Sequence, residues 1–295
     1  VASGIVLVDK PLGLSSHSAV SGVRKALGTK KVGHAGTLDP AATGLLVMGV
    51  NAGTRLLTYL VGLDKSYTAT MRLGYETTTD DAEGDKVGES APAVDSLTDE
   101  DIRSAVGPFR GQIEQVPSTY SAIKVEGKRA YDLARSGHEV ELKSRVVTIS
   151  RLETLGITRG DGVIDVELVV DCSSGTYIRA LARDMGRALG VGGHLVALRR
   201  TRVGPFDVEG APLPQDIGES QVMSLAEVAS AVMPVVVLES QEVIDISHGR
   251  PIRAQGWPSA GPIAALAGES GGLVAILEAS GDRSRILMGV PDSER

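Results

Sequence analysis

Asp39 is the acid whose surroundings most invite chemistry. It stands in KKVGHAGTLDPAAT, residues 30–43, a stretch dense in Gly, Pro and Thr with no apolar periodicity, which reads as a loop. Pro40 biases the residue before it toward extended backbone angles and would hold the Asp39 carboxylate at the loop's edge. The same two residues also fit a helix start, with aspartate as N-cap and proline at the first helical position. Arg179, in SSGTYIRAL, lies at or near the start of a helix. Facing a carboxylate in a closed site, it would keep that acid ionised and oriented; the commoner fate of a helix arginine is a surface ion pair. Tyr67 and Tyr177 carry weight because aromatics make up only 3% of the chain, leaving few rings able to stack on a flat base, although each also suits a core. His34, between Gly33 and Ala35-Gly36, is either an exposed ring or a hydrogen-bonding anchor for its loop.

Other chemistries lack their machinery. Neither GxxxxGK[ST] nor a GxGxxG that opens a helix is present, which removes nucleoside-triphosphate and dinucleotide readings. A GxSxG elbow leading from a strand into a helix and an HExxH helix are absent too. The five histidines, His17, His34, His138, His194 and His248, and the single Cys172 show no zinc-ligand spacing. No metal and no cofactor are expected. One cysteine cannot form an internal disulfide, and neither a signal-peptide pattern nor an apolar run of about 20 residues is visible. A cytoplasmic protein off the membrane follows as the expectation, with monomer as the default.

The elements that must position these residues can be read in outline. Gly4 to Val8 reads as a strand and Ser16 to Leu27 as a helix, with serines available as N-cap and Gly28 as the stop. Residues 44–50 form an apolar run of strand length, and Lys65 to Leu73 alternates as a half-buried strand. Glu76 to Asp101 reads as an exposed, mobile acidic loop, closed by a capping-box-like Thr98 and Asp101. Residues 115–143 form a polar segment with a Glu126-Gly127 turn and the basic cluster Lys124, Lys128, Arg129 and Arg135. Arg145 to Gly156 and Val163 to Cys172 pair as an antiparallel hairpin, Thr176 to Leu189 is an amphipathic helix, and Leu195 to Val203 favours strand. Past Ala211 the composition shifts, with prolines at 212, 214 and 234 and no Lys or Arg between Arg202 and Arg250. The expected fold is α+β: a catalytic domain over residues 1–233 on a mixed, largely antiparallel sheet, then a small β-rich domain over 234–295.

The net charge of −7 argues at first against a nucleic-acid partner. The acidity is segregated, however. Residues 1–75 and 102–202 each carry a balance of +5, whereas 76–101 carry −9 and 203–295 carry −8. The pattern permits a basic groove, and it equally suits solvated faces set by solubility.

Four segments in one order, LVDKPLGLSSH from Leu7, GHAGTLDPAATGLL from Gly33, KSYTATMRLG from Lys65 and CSSGTYIRALARDMG from Cys172, together with LRRTRVGPF from Leu198, resemble the TruB family of tRNA pseudouridine synthases. The resemblance covers about the first 205 residues. It implies that Asp39 is the catalytic acid and Arg179 its salt-bridge partner. It further implies that Tyr67 lies against the target uracil, that Tyr177 and Leu198 complete the pocket, and that Lys10 and Pro11 support the floor beneath the active loop. His34 would help displace stacked bases. The family implies base flipping and isomerisation of uridine 55 in the tRNA T stem-loop, an RNA-clamping thumb at 115–143, and a PUA-like carboxy-terminal domain. Against that last implication stands the −8 balance of residues 203–295. Two further readings remain from sequence: an RNA-binding or tRNA-folding module, and a base glycosylase, which also needs an acid and an extruded base.

Overall fold

The structure is a computed structural model that describes residues 2–119, 124–125, 128–129 and 142–295. Most of the polar segment 115–143, including Glu126-Gly127 and Arg135, lies outside the described residues.

Strands β1 (Gly4–Lys10), β2 (Val32–His34), β3 (Ala42–Val50), β4 (Lys65–Leu73), β5 (Glu76–Thr77), β6 (Lys86–Val87), β7 (Gly111–Gln115), β8 (Lys124–Val125), β9 (Lys128–Arg129), β10 (Arg145–Gly160), β11 (Val163–Cys172) and β12 (Gly193–Val203) are followed by β13 (Phe206–Asp207), β14 (Met223–Ser224), β15 (Val235–Leu238), β16 (Ile263–Ala267), β17 (Leu273–Ser280) and β18 (Arg283–Gly289). Among the described residues the α-helices are α1 (Ser16–Ala26), α2 (Gly53–Leu60), α3 (Asp99–Ala105), α4 (Ile178–Ala188), α5 (Leu225–Val232) and α6 (Ser240–Ser247). The chain is α+β. It divides into two compact units, one of residues 1–40, 44–61 and 203–295, the other of residues 41–43 and 62–202.

In the first unit, β1 lies between β3 and β14 and runs antiparallel to both, with Gly4 opposite Val50 and Lys10 opposite Gly44. β2 adds to β3 over Val32 to His34, a strand inside the segment expected to be loop throughout. Three residues carry too little periodicity to read alone; the apolar run of β3 supplies the partner that makes them a strand. Helix α1 starts where its sequence says, because the Ser15 hydroxyl accepts from Ser18 N–H at 3.0 Å, and Arg24 and Lys25 sit in the last turn where they complement the helix dipole. Its buried face, Ala19, Val20 and Val23, packs on Val6, Val8, Leu46 and Met48. The tail holds a four-stranded sheet in the order β15-β16-β17-β18, with β15 parallel to β16 and the remaining pairs antiparallel. Beside the sheet it holds α6, which follows β15 and is started by a capping box between Glu239 and Glu242.

In the second unit the order is β12-β4-β11-β10-β7. The alternation read in Lys65 to Leu73 buries Tyr67, Ala69, Met71 and Leu73, which share a core with Val166, Leu168 and Val170 of β11. Ile178, Leu181, Ala182 and Met185 of α4 close that core. The helix lies close against the chain because Gly186 and Gly193 meet backbone to backbone: a Cβ at Gly186 would stand 2.3 Å from the Gly193 nitrogen. No described helix is long and apolar enough to cross a membrane.

Candidate active site

The Asp39 loop begins no helix. Residues 35–41 are irregular and Pro40-Ala41 form a turn into β3, so the N-cap reading of Asp39-Pro40 fails. The first unit instead pins the residues on either side of the acid. The buried Ser16 hydroxyl donates to the Leu38 carbonyl at 2.8 Å and accepts from Leu38 N–H at 2.8 Å. The Pro40 carbonyl accepts from Gly13 N–H at 2.9 Å, with the Lys10 ammonium at 3.5 Å. Lys10 is completely buried, and its ammonium also donates to the carbonyls of Pro11 at 3.0 Å and Leu14 at 2.6 Å. The LVDKPLGLSSH segment is thus a cradle of backbone and side-chain hydrogen bonds for the loop. Asp39 itself is half-buried. The bonds of this cradle fall on the backbone of Leu38 and Pro40, the two neighbours of the acid. Gly36, at φ 95°, takes the left-handed backbone that lets the chain turn before it. His34 is half-buried on β2, opposite Met48.

Tyr67, Tyr177, Arg179 and Leu198 belong to the second unit. Tyr67 is 7% exposed on β4, opposite Val170, within the core cluster, and Leu198 packs against that same cluster. The Leu198 carbonyl accepts from the Thr43 hydroxyl at 3.4 Å. Tyr177 immediately precedes α4 and its half-buried ring lies beneath the Arg145 guanidinium, 5.2 Å from the ring centroid, a cation–π arrangement. Arg179 is buried on the first turn of α4 and donates to the Asp81 carboxylate and the Thr79 carbonyl, both at 3.1 Å.

Those contacts correct the reading of residues 76–101 as an exposed, mobile loop. Their first part is a short hairpin, β5 with β6, and Thr77 and Asp81 are buried. Asp81 meets Arg179. Asp80 meets Arg183 at 3.0 Å, and Glu76 takes both Nε and Nη2 of Arg187 at 2.7 and 2.8 Å. The three arginines are spaced by four, so they share one face of α4, and the acids meet them in reverse order along that face. Burial lifts the Asp80 carboxyl above its ordinary value, with Arg183 the main opposing charge. Arg187 holds the Glu76 carboxyl below its ordinary value. The start of β12 completes the arrangement: Leu195 N–H donates to the Asp80 carbonyl at 3.0 Å, and the His194 ring stacks on Tyr75 with centroids 4.7 Å apart.

Sequence reasoning missed Ser16, Asp80, Asp81, Gln115 and Arg183. A signal existed for some of them: arginines at i, i+4 and i+8 on a helix whose opposite face is apolar call for acids, and 76–101 is the most acidic stretch of the chain. Among the described residues no group of three or more His, Cys, Asp or Glu could hold a metal ion.

Comparison with known proteins agrees on one family. The model of the TruB family pseudouridylate synthase N-terminal domain matches residues 24–178, and that of the tRNA pseudouridylate synthase B C-terminal domain matches residues 179–237. The tRNA pseudouridine synthase B of Paenarthrobacter aurescens (strain TC1) is 53% identical over 296 residues, covering 97% of this chain and 94% of that protein. The protein of the same name from Arthrobacter sp. (strain FB24) is 50% identical over 304 residues, covering 99% and 98%. A solved Cbf5-Nop10-Gar1 complex contains a chain similar in fold, with a TM-score of 0.74 and 26% identity over 98% of this chain and 86% of that one. With the two family models matched over residues 24–237 and half of all positions identical to a relative across nearly the full length, this chain belongs to the TruB family of pseudouridylate synthases.

Proposed function

We propose that the protein isomerises uridine 55 in the T loop of tRNA to pseudouridine, with Asp39 as the catalytic residue and no cofactor. The reaction breaks the bond from uracil N1 to ribose C1′, turns the base, joins C5 to C1′, gives up the C5 proton and takes up one proton at N1; the product is an isomer and no redox partner is needed. One carboxylate, acting as nucleophile or as base, is enough, provided the base has left its stack. The observation that carries the assignment is the pinning of Leu38 and Pro40 by Ser16, Gly13 and Lys10, which fixes the backbone on either side of the acid and so the place from which its carboxylate acts. Holding a reacting group in place is worth much of the barrier, and a misplacement of about 1 Å costs about 100-fold.

In this proposal Tyr67 lies against the uracil, Tyr177 and Leu198 complete its pocket, and Arg179 keeps the acid ionised where burial alone would raise its pKa. His34 helps open the stack, Lys10 holds the floor, and residues 115–143 clamp the RNA. Residues 1–233 form the catalytic domain and 234–295 a PUA-like domain, a division supported by the separate sheet that begins at Val235.

The test is release of tritium from C5-labelled uridine in tRNA. Asp39→Asn is expected to bind tRNA as the parent does while its release drops below detection; undiminished release would remove Asp39 from the reaction. A tRNA carrying cytidine at position 55, with label in its other uridines, is expected to release none. Binding should weaken steeply with salt, because phosphate contacts dominate affinity for RNA.

A further inference from the structure

Helix α4 bears Arg179 on its first turn and begins without a cap of its own. The residue at its N-cap is Tyr177, at φ −102° and ψ 108°, whose side chain makes no capping hydrogen bond. Its two backbone polar groups are held from elsewhere. Gln115, the last residue of β7 and 1% exposed, donates from Nε2 to the Tyr177 carbonyl at 3.0 Å, and Tyr177 N–H donates to Gln115 Oε1 at 2.8 Å. The same Tyr177 carbonyl accepts from Leu181 N–H at 3.1 Å and so opens the helix ladder. Opposite Gln115 on β10 stands Arg145, whose guanidinium covers the Tyr177 ring. One cross-strand pair therefore holds this tyrosine by both its backbone and its ring. One turn further along α4, Arg183 donates to the carbonyl of Val116, the next residue after Gln115, at 2.8 Å.

We propose that Gln115 is a positioning residue for the reaction: its carboxamide fixes the backbone of Tyr177, and with it the turn of α4 that presents Arg179. The inference rests on the roles given above to Tyr177 and Arg179. A carboxamide is suited to this task because it offers one donor and one acceptor in a single plane, matched to the carbonyl and N–H of one residue. An apolar replacement of similar size keeps the packing and removes both contacts. Glutamic acid at this site repeats the pattern only when protonated, with O–H donating to the Tyr177 carbonyl and C=O accepting from its N–H. As a carboxylate it sets a second acceptor against that carbonyl, and burial raises its pKa.

The experiment compares the full-length parent, Gln115→Leu and Gln115→Glu by single-turnover tritium release with enzyme in excess, alongside tRNA binding and thermal unfolding. Gln115→Leu is expected to slow the single-turnover step about 100-fold while the tRNA dissociation constant stays within about threefold. The rate of Gln115→Glu relative to the parent is expected to rise as pH falls from about 8 to about 6, as its buried carboxyl takes up a proton. A folded Gln115→Leu with the parental rate overturns the proposal, and so does a pH-independent ratio for Gln115→Glu. A parent that releases no label would sink the functional reading instead. Gln115 is then judged by amide exchange: faster exchange at Tyr177 in Gln115→Leu upholds its hold on the helix start, and unchanged exchange overturns it.

Discussion

Residues 76–101 and 203–295 carry almost the same excess of acid, −9 and −8, yet only the first buries part of it. There Asp80 and Asp81 turn onto the arginine face of α4, and the Arg179–Asp81 pair retains less than a tenth of its side-chain exposure, whereas Arg187, paired with Glu76, stays more than half exposed. In the second, the acids stay at the surface: Asp245 pairs with Arg250, Glu278 with Arg285 and Asp292 with Arg295, and in each pair one partner is more than half exposed. Equal charge therefore carries two physical meanings. Buried ion pairs are costly to break because the surviving charge stays desolvated, whereas exposed pairs are screened by water and salt.

The sharpest way to break this contrast is at Asp81. Asp81→Asn removes a carboxylate facing the buried Arg179, and a loss of about 3–5 kcal/mol is expected on thermal or urea unfolding, with turnover falling alongside because Arg179 loses one of the groups that orient it. Asp80→Asn should cost less, about 1–3 kcal/mol, since Arg183 keeps Asp184 at 2.8 Å and the Val116 carbonyl, and since burial already disfavours the Asp80 charge. A mutant at Asp80 as damaging as one at Asp81 would show that the two pairs act as one unit.

Histidine 194 offers a pH test of the same region. Burial lowers its imidazole below the ordinary value of 6.5, so the folded ring stays neutral while the unfolded ring takes up a proton. The stability it contributes is complete above 6.5 and is lost as pH falls from there through the lower folded value. His194→Gln should therefore flatten the decline of the melting temperature between about pH 7.5 and 5.5; an unaltered decline would place its origin elsewhere. The smallest effect belongs to the tail. Glu278→Gln is expected to shift stability by no more than about 1 kcal/mol, and by less in high salt. A larger or salt-insensitive loss would end the distinction between the two acidic regions.

Much of the frame was legible in the sequence. The Ser15 cap of α1, the Thr98–Asp101 capping box of α3, the alternation of β4 and the β10–β11 hairpin are set by residues within a few positions of one another, and each stands where the local pattern places it. What local pattern misjudged was decided by distant partners. Asp39-Pro40 has the chemistry of a helix start, yet Gly13 and Lys10 claim the Pro40 carbonyl and the chain turns into β3. SQEVIDIS, with its β-branched residues, falls in the tail expected to be β-rich and is the helix α6, whose start is still local, a capping box between Glu239 and Glu242.

By itself the sequence determined the longer elements, the family motifs and the presence of an acid in the loop, because these depend on short-range spacing and side-chain chemistry. Which acids would be buried, and that Ser16 and Gln115 would hold the backbones of Leu38 and Tyr177, only the tertiary structure decided. A hydrogen bond between residues 22 or 62 positions apart leaves no periodic trace in the chain. It exists because the fold closes those loops and removes the water that would otherwise satisfy the same groups.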